Sequence, residues 1–339
     1  MNRLLRNVSA LSLAALMSMP VSVQAEEVIR IAGSLRPGSM MHGIIQTFID
    51  NFNSKSGDDY KVEYQLVGND QEMTQQVIRG RLEIGTTGLA GAAVSIPPGA
   101  VLSMPYLWNN DAQRRWATDN VVLPVLKDIF TENGLVVIGM GDAGWSNMFC
   151  KESCSTPEDI AGKRFRIPPA ASARAFWEKV GVNGVQLSLP DFFTGLEQGM
   201  VEGGDLPLTF FVTTPAAQYA KTYVTTNQYH HEQIFFINKS YFEGLPENIQ
   251  ELLITAMPST DEMRRRQDED EVLQAAKFEA AGGKYILLSE DQKKVWADKV
   301  GDTHEALLTN LPEGATRIYE AVQEGKRQFA EQPEASAKP

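Results

Sequence analysis

The chain has 339 residues, enough for one or two α/β lobes with cores of their own. Hydrophobic residues at 43% and charged residues at 22%, with 27 Gly and 17 Pro, are ordinary globular proportions; they exclude a disordered, collagen-like or coiled-coil chain. Against 31 Lys+Arg stand 43 Asp+Glu, a formal charge of -12, which leaves no basic face to neutralise a run of phosphates and argues against nucleic-acid binding.

The first 25 residues differ from the rest. Arg3 and Arg6 form a positive start, Val8 to Met19 is apolar, and Val23-Gln24-Ala25 offers small residues for cleavage before Glu26. Residues 1–25 therefore read as a cleaved secretory signal. The apolar run is shorter than the ~20 residues a membrane-spanning helix needs. Without it the chain is more acidic still, and it is expected outside the cytoplasm.

Glu27 to Ala32 is a β-branched run that ends at Gly33, and Ile44, Ile45, Phe48 and Phe52 follow at helical spacing after Ser39. Lys61 to Val67 alternates Val62, Tyr64 and Leu66 with polar residues, the pattern of a strand with one wet face. A helix from Glu72 to Arg79 and a strand from Leu82 to Gly85 complete a β-α-β-α-β series, which predicts a mostly parallel sheet covered by helices. Ligands of such sheets lie beyond the carboxyl ends of the strands, here the loops Gly33–Gly38, Gly68–Asp70 and Gly85–Gly88.

A second series begins after Leu135 to Ile138. It holds a strand from Lys163 to Ile167, a helix through Phe176 and Trp177, the run Val185-Gln186-Leu187, and a helix start at Ser188-Leu189-Pro190-Asp191. An apolar strand returns at Ile234 to Asn238, followed by a polar helix from about Asp261 to Ala281 that Gly282-Gly283 ends. Two sheet centres and a chain that passes between them more than once predict two lobes with a cleft.

Gly139-Met140-Gly141-Asp142-Ala143-Gly144 spells the dinucleotide fingerprint G-x-G-x-x-G. That motif needs a helix aimed at the pyrophosphate, whereas Trp145 to Cys150 continues with extended patterning, so the glycines read as strand or hinge positions. No cofactor is expected. No nucleophile motif is present, and His42, His230, His231 and His304 are the only histidines. The adjacent His230-His231 is read as a surface or hinge loop, not a metal site. Cys150 and Cys154 supply too few ligands for a metal and are expected to close a small disulfide. Arg264-Arg265-Arg266 and Asp268 to Glu271 are read as a solvated helix face. In Lys163 to Pro168 the strand period separates Phe165 and Ile167 from Arg164 and Arg166, and Pro168 ends the strand. Arg166 thus stands at the sheet's carboxyl edge, where a bidentate donor would capture an anion that this acidic chain otherwise repels.

Five stretches in order resemble the substrate-binding proteins of TRAP transporters, from about Val28 to Gln323. They are Gly85-Thr86-Thr87-Gly88 followed by Leu102 to Leu107, Pro157 to Pro168, Leu196 to Asp205, Phe235 to Lys239, and Leu245-Pro246-Glu247. The resemblance implies a periplasmic receptor, not an enzyme, with an α/β two-lobed binding-protein fold. Hinge strands and a long helix would join the lobes, which close on a small organic acid and hand it to a membrane permease. It implies lobe I at 26–140 and 231–268, lobe II at 141–230 and 269–330, and a disordered tail at 331–339. The carboxylate-binding arginine of the family falls on Arg166. Two departures stand out: Trp145-Ser146 where many relatives carry an arginine after an aromatic, and Asp205-Leu206-Pro207 in place of Glu-Asn-Pro. Fewer donors argue against a sialic-acid-like polyol and for a smaller or more apolar monocarboxylate resting against Trp145. The first lobe would add Asn69, Thr87 and the Ser34–Arg36 loop. The rival readings are an exported oxidoreductase with a nucleotide at Gly139–Gly144 and an extracytoplasmic ligand sensor.

Overall fold

The computed structural model describes residues 26–168 and 170–332; the expected signal segment and residues 333–339 of the expected tail lie outside them. Nine strands form one sheet: β1 (Glu27–Gly33), β2 (Tyr60–Leu66), β3 (Ile84–Gly88), β4 (Leu135–Cys150), β5 (Arg164–Ile167), β6 (Asn183–Gln186), β7 (Gly203–Pro207), β8 (Thr222–Asn238) and β9 (Lys284–Ile286). Their order is β2-β1-β3-β8-β4-β7-β5-β6, with β9 on β8. The flanks, β2-β1-β3 and β7-β5-β6, are parallel as the alternating pattern predicts. The centre is not. β8 runs antiparallel to β3 and β4, and β4 antiparallel to β7, so the sheet is mixed.

That centre joins two lobes. β4 has 16 residues and β8 has 17, roughly three times a common strand. At one end of this ribbon, Ile234 and Phe236 of β8 face a core with Ala32, Phe130 and Met140, while Phe235 and Ile237 face a second core with Ile44, Phe48 and Phe52. At the other end, Met148 and Val224 join Phe176, Trp177 and Trp296, and Phe149 and Tyr223 join Phe192 and Phe211. Each sheet face therefore carries two separate apolar cores, and the ribbon, the long helix Thr260–Ala280 and the segment 301–312 run between them; that helix places Met263 in one lobe and Phe278 in the other. Each buried aromatic or aliphatic side chain contributes ~1.5–3 kcal/mol.

The helix starts follow local chemistry. Ser39 caps the helix Met40–Asn53 by accepting from His42 N, and Ser188 caps Leu189–Glu197 by accepting from Asp191 N, with Pro190 in the first turn. One segment divides where the sequence expects a unit. Within 269–330, the helix Glu290–Val300 packs Trp296 and Val300 into the second lobe, but the helix Glu313–Ala330 buries Ala315, Ile318 and Val322 in the first lobe's core. The amphipathic stripe of that last helix does not itself record which lobe it covers.

Candidate functional site

The glycine run 139–144 lies inside β4, which continues unbroken to Cys150; no helix follows it, so a dinucleotide cradle is absent there. The glycines serve packing instead. A Cβ at Gly139 would stand 2.8 Å from Met257 Cγ, and one at Gly141 2.9 Å from Met263 Sδ, while Gly144 has φ +94° at a register shift. They let the following helices lie close on the ribbon. The Cys150–Cys154 disulfide is formed at the far end of the same strand.

Arg166 ends β5 as expected, and it is buried, 7% exposed. Its Nε donates to the Leu187 carbonyl at 3.2 Å, and its guanidinium lies 5.4 Å from the centre of the Phe192 ring. Among the described residues no carboxylate reaches it at ion-pair distance; Asp205 acts on it only from farther away. Burial therefore pulls its pKa down, against the pull of Asp205. Asp205, 2% exposed, accepts from Ser146 Oγ at 2.8 Å and from the Tyr229 hydroxyl. Burial holds its carboxyl above the usual range, opposed mainly by Arg166 and Ser146.

The other expected residues fare differently. Ser146 and Asp205 are brought together with each other and, electrostatically, with Arg166. Leu206 points into the core with Phe149 and Phe211, and its carbonyl accepts from the Tyr223 hydroxyl at 3.0 Å. Trp145 is committed to the protein: its Nε1 donates to Asp111 at 3.0 Å, and its ring meets His230 edge-on at 5.1 Å. Ser34, Arg36 and Asn69 are exposed beyond the carboxyl ends of β1 and β2, and Asn69 caps the helix Asp70–Ile78 by accepting from Gln71 N and Glu72 N. Thr87 is buried at the end of β3. Among the described residues no hydrogen bond links these four to Arg166.

His230-His231 is not a loop; both histidines sit in β8. His230 Nδ1 lies 3.0 Å from Glu232, and the partly buried His231 packs edge-on against Tyr229, its pKa lowered to about 4 by burial. Nor are the three arginines 264–266 one solvated face. Arg265 pairs with Glu262 and Glu269 in solvent, but Arg264 is buried and pairs with Asp119 at 2.6 Å and Asp142 at 3.4 Å.

That pairing belongs to a buried ion network absent from the sequence reading. Arg114, fully buried, donates to Asp142 at 2.5 and 3.1 Å, to Glu232 at 2.7 Å and to Asp111 at 3.0 Å. Arg115 adds Asp142 at 3.1 Å and Asp268 at 2.6 Å. These carboxylates hold Arg114 well above its ordinary pKa, and Arg114, helped by Arg264, holds Asp142 well below its own, each in spite of burial. Asp142, His230 and Glu232 lie close enough to share a metal ion, but the Arg114 guanidinium already bridges the two carboxylates, and Arg115 and Arg264 offset the remaining charge on Asp142.

Residues 31–310 match the family model described as bacterial extracellular solute-binding protein, family 7. The 2,3-diketo-L-gulonate-binding periplasmic protein of Escherichia coli K12 is 22% identical over 329 residues, covering 94% of this chain and 99% of the relative. Among solved structures, a TRAP periplasmic solute-binding protein of Roseobacter denitrificans with bound β-D-glucuronate matches with TM-score 0.80 at 19% identity, covering 88% of this chain and 99% of that one. A sugar-acid-binding protein of Advenella mimigardefordensis in complex with galactonate matches with TM-score 0.79 at 20% identity over the same shares. At those identities the structural likeness is one of fold, the two-lobed binding-protein fold.

Proposed function

We propose that this chain, which belongs to the bacterial extracellular solute-binding proteins of family 7, is the periplasmic receptor of a TRAP transporter. It binds a small carboxylate of the sugar-acid type between its lobes and delivers it to a membrane permease. It is a binding protein, not an enzyme. The reading rests on one observation above all: Arg166 is buried at the carboxyl end of β5 with no carboxylate at ion-pair distance among the described residues. A buried charge left under-compensated costs several kcal/mol unless an opposite charge arrives. An acid's carboxylate, forked onto the Nη groups, supplies it.

The sugar-acid class is supported by the polar company of Arg166, namely Asp205, Ser146 and Tyr229. The expected apolar monocarboxylate leaning on Trp145 loses its ground, since Asp111 and His230 already hold that indole. Closure follows because the closed lobes make contacts to the acid that the open ones cannot. Export through residues 1–25 places the receptor in the periplasm. Calorimetry with D-glucuronate and D-galactonate tests the reading: Arg166→Ala loses two decades of affinity or more, about 3–5 kcal/mol, and Arg166→Lys fails too because a point charge does not reproduce the fork. Unchanged affinity in Arg166→Ala removes the residue from the site.

A further inference from the structure

Asp205 stands within electrostatic reach of Arg166 without forming an ion pair, and every group that touches it is uncharged. Its Oδ2 accepts hydroxyl donors from Ser146 on β4 and Tyr229 on β8; its Oδ1 has no hydrogen-bond partner among the described residues. Trp177 and Gln228 approach it without closing a bond. We propose that Asp205 sets the charge the site accepts, so that the receptor takes a singly charged hydroxy- or keto-carboxylate together with one proton, which settles on Asp205. This rests on Arg166 being the carboxylate's partner.

The groups around Asp205 are few. Arg166 faces it from β5 and is the cation that acts on it among the described residues; Tyr229 and Tyr223 face it from β8, with His231 edge-on to Tyr229. Ser146 comes from β4 and Trp177 from the helix Ala171–Val180, and the Phe192 ring covers the neighbouring Gly204. Without an acid, the one guanidinium serves Asp205 from a distance. Once an acid's carboxylate forks onto Arg166, two carboxylates share one positive charge where water is excluded, and like charges disfavour joint ionisation. A proton from solvent moves onto Oδ1, leaving one guanidinium against one anion. Burial already favours that protonated form. A dicarboxylate brings a second negative charge for which this cluster holds no second cation.

Calorimetry of the mature protein with D-glucuronate, D-galactonate and succinate, in buffers of equal pH but different ionisation enthalpy, counts the protons directly. The expected result is uptake approaching one proton per sugar acid, with affinity falling by up to about tenfold per pH unit as pH rises through the window of uptake. Succinate is at least about tenfold weaker. Asp205→Asn binds the sugar acids without proton uptake and with an affinity that pH does not move. Sugar-acid binding by the natural protein with no uptake anywhere between about pH 5 and 9 overturns the proposal and leaves Arg166 its role. So does undiminished uptake in Asp205→Asn. Failure of all three acids to bind the natural protein counts against the receptor reading itself, and with it this one.

Discussion

Arg114 and Arg166 are both taken out of water, at 0% and 7% exposure, yet their surroundings are opposites. Around Arg114, carboxylates from β4, β8 and its own helix close on every edge of the guanidinium, and Arg115 and Arg264 share the excess negative charge. Among the described residues Arg166 has a carbonyl, a ring face and one distant carboxyl group that burial tends to neutralise. A saturated buried charge fastens elements together; here it ties the helices Asp111–Ala117 and Thr260–Ala280 to the ribbon at the point where the lobes part. An unsaturated one is a place for something else. Burial alone does not distinguish structure from binding, and the tally of partners does.

The comparison can be broken by removing each arginine in turn. Arg114→Met leaves Asp142 to Arg115 and Arg264 and Glu232 to His230 alone, and is expected to cost about 3–5 kcal/mol, read as a lowered urea midpoint. Arg166→Ala behaves inversely: its ligand-free melting temperature stays within a degree or two or rises, while acid binding is lost. Equal destabilisation in the two variants would erase the distinction.

A smaller effect sharpens the description of Asp205. Its folded-state pKa lies above that of the unfolded chain, so the native state holds the proton more tightly. The stability this contributes is complete below the ordinary carboxylate range and is lost as pH rises through the raised folded value. Asp205→Asn should therefore remove a loss of up to about 1.4 kcal/mol per pH unit from the profile on that side, read by denaturation at a series of pH values. A profile parallel to that of the natural protein would place Asp205 in an environment as favourable to its charge as water. The smallest effect on acid binding is expected from reducing Cys150–Cys154, four residues apart: the short loop costs about 2 kcal/mol of stability when opened, but it sits at the strand's far end, so acid affinity should not change.

Much of the fold was legible. Ser39 with the Ile44, Ile45, Phe48 and Phe52 spacing, the alternation of Val62, Tyr64 and Leu66, and Pro168 after Arg166 are local signals, and local structure obeys them. The ribbon was not, because its glycines and register shifts interrupt the strand pattern where helices pack closest, so β4 reads as a short strand and β8 as a loop followed by a strand. Arg166 was legible because strand period and a terminal proline fix its place. The network escaped because Arg114, Asp142, Glu232 and Arg264 are far apart in the chain and each alone resembles an exposed charge. Tyr229 and Phe192 escaped for the same reason: what they touch is set by sheet register, which no spacing along one strand reveals.

The most direct test is a crystal structure of the protein with the sugar acid that binds best. The acid is expected between the lobes with both carboxylate oxygens at hydrogen-bond distance from the Arg166 guanidinium. A carboxylate bound elsewhere, with Arg166 still resting on Leu187 and Phe192, is the opposite result.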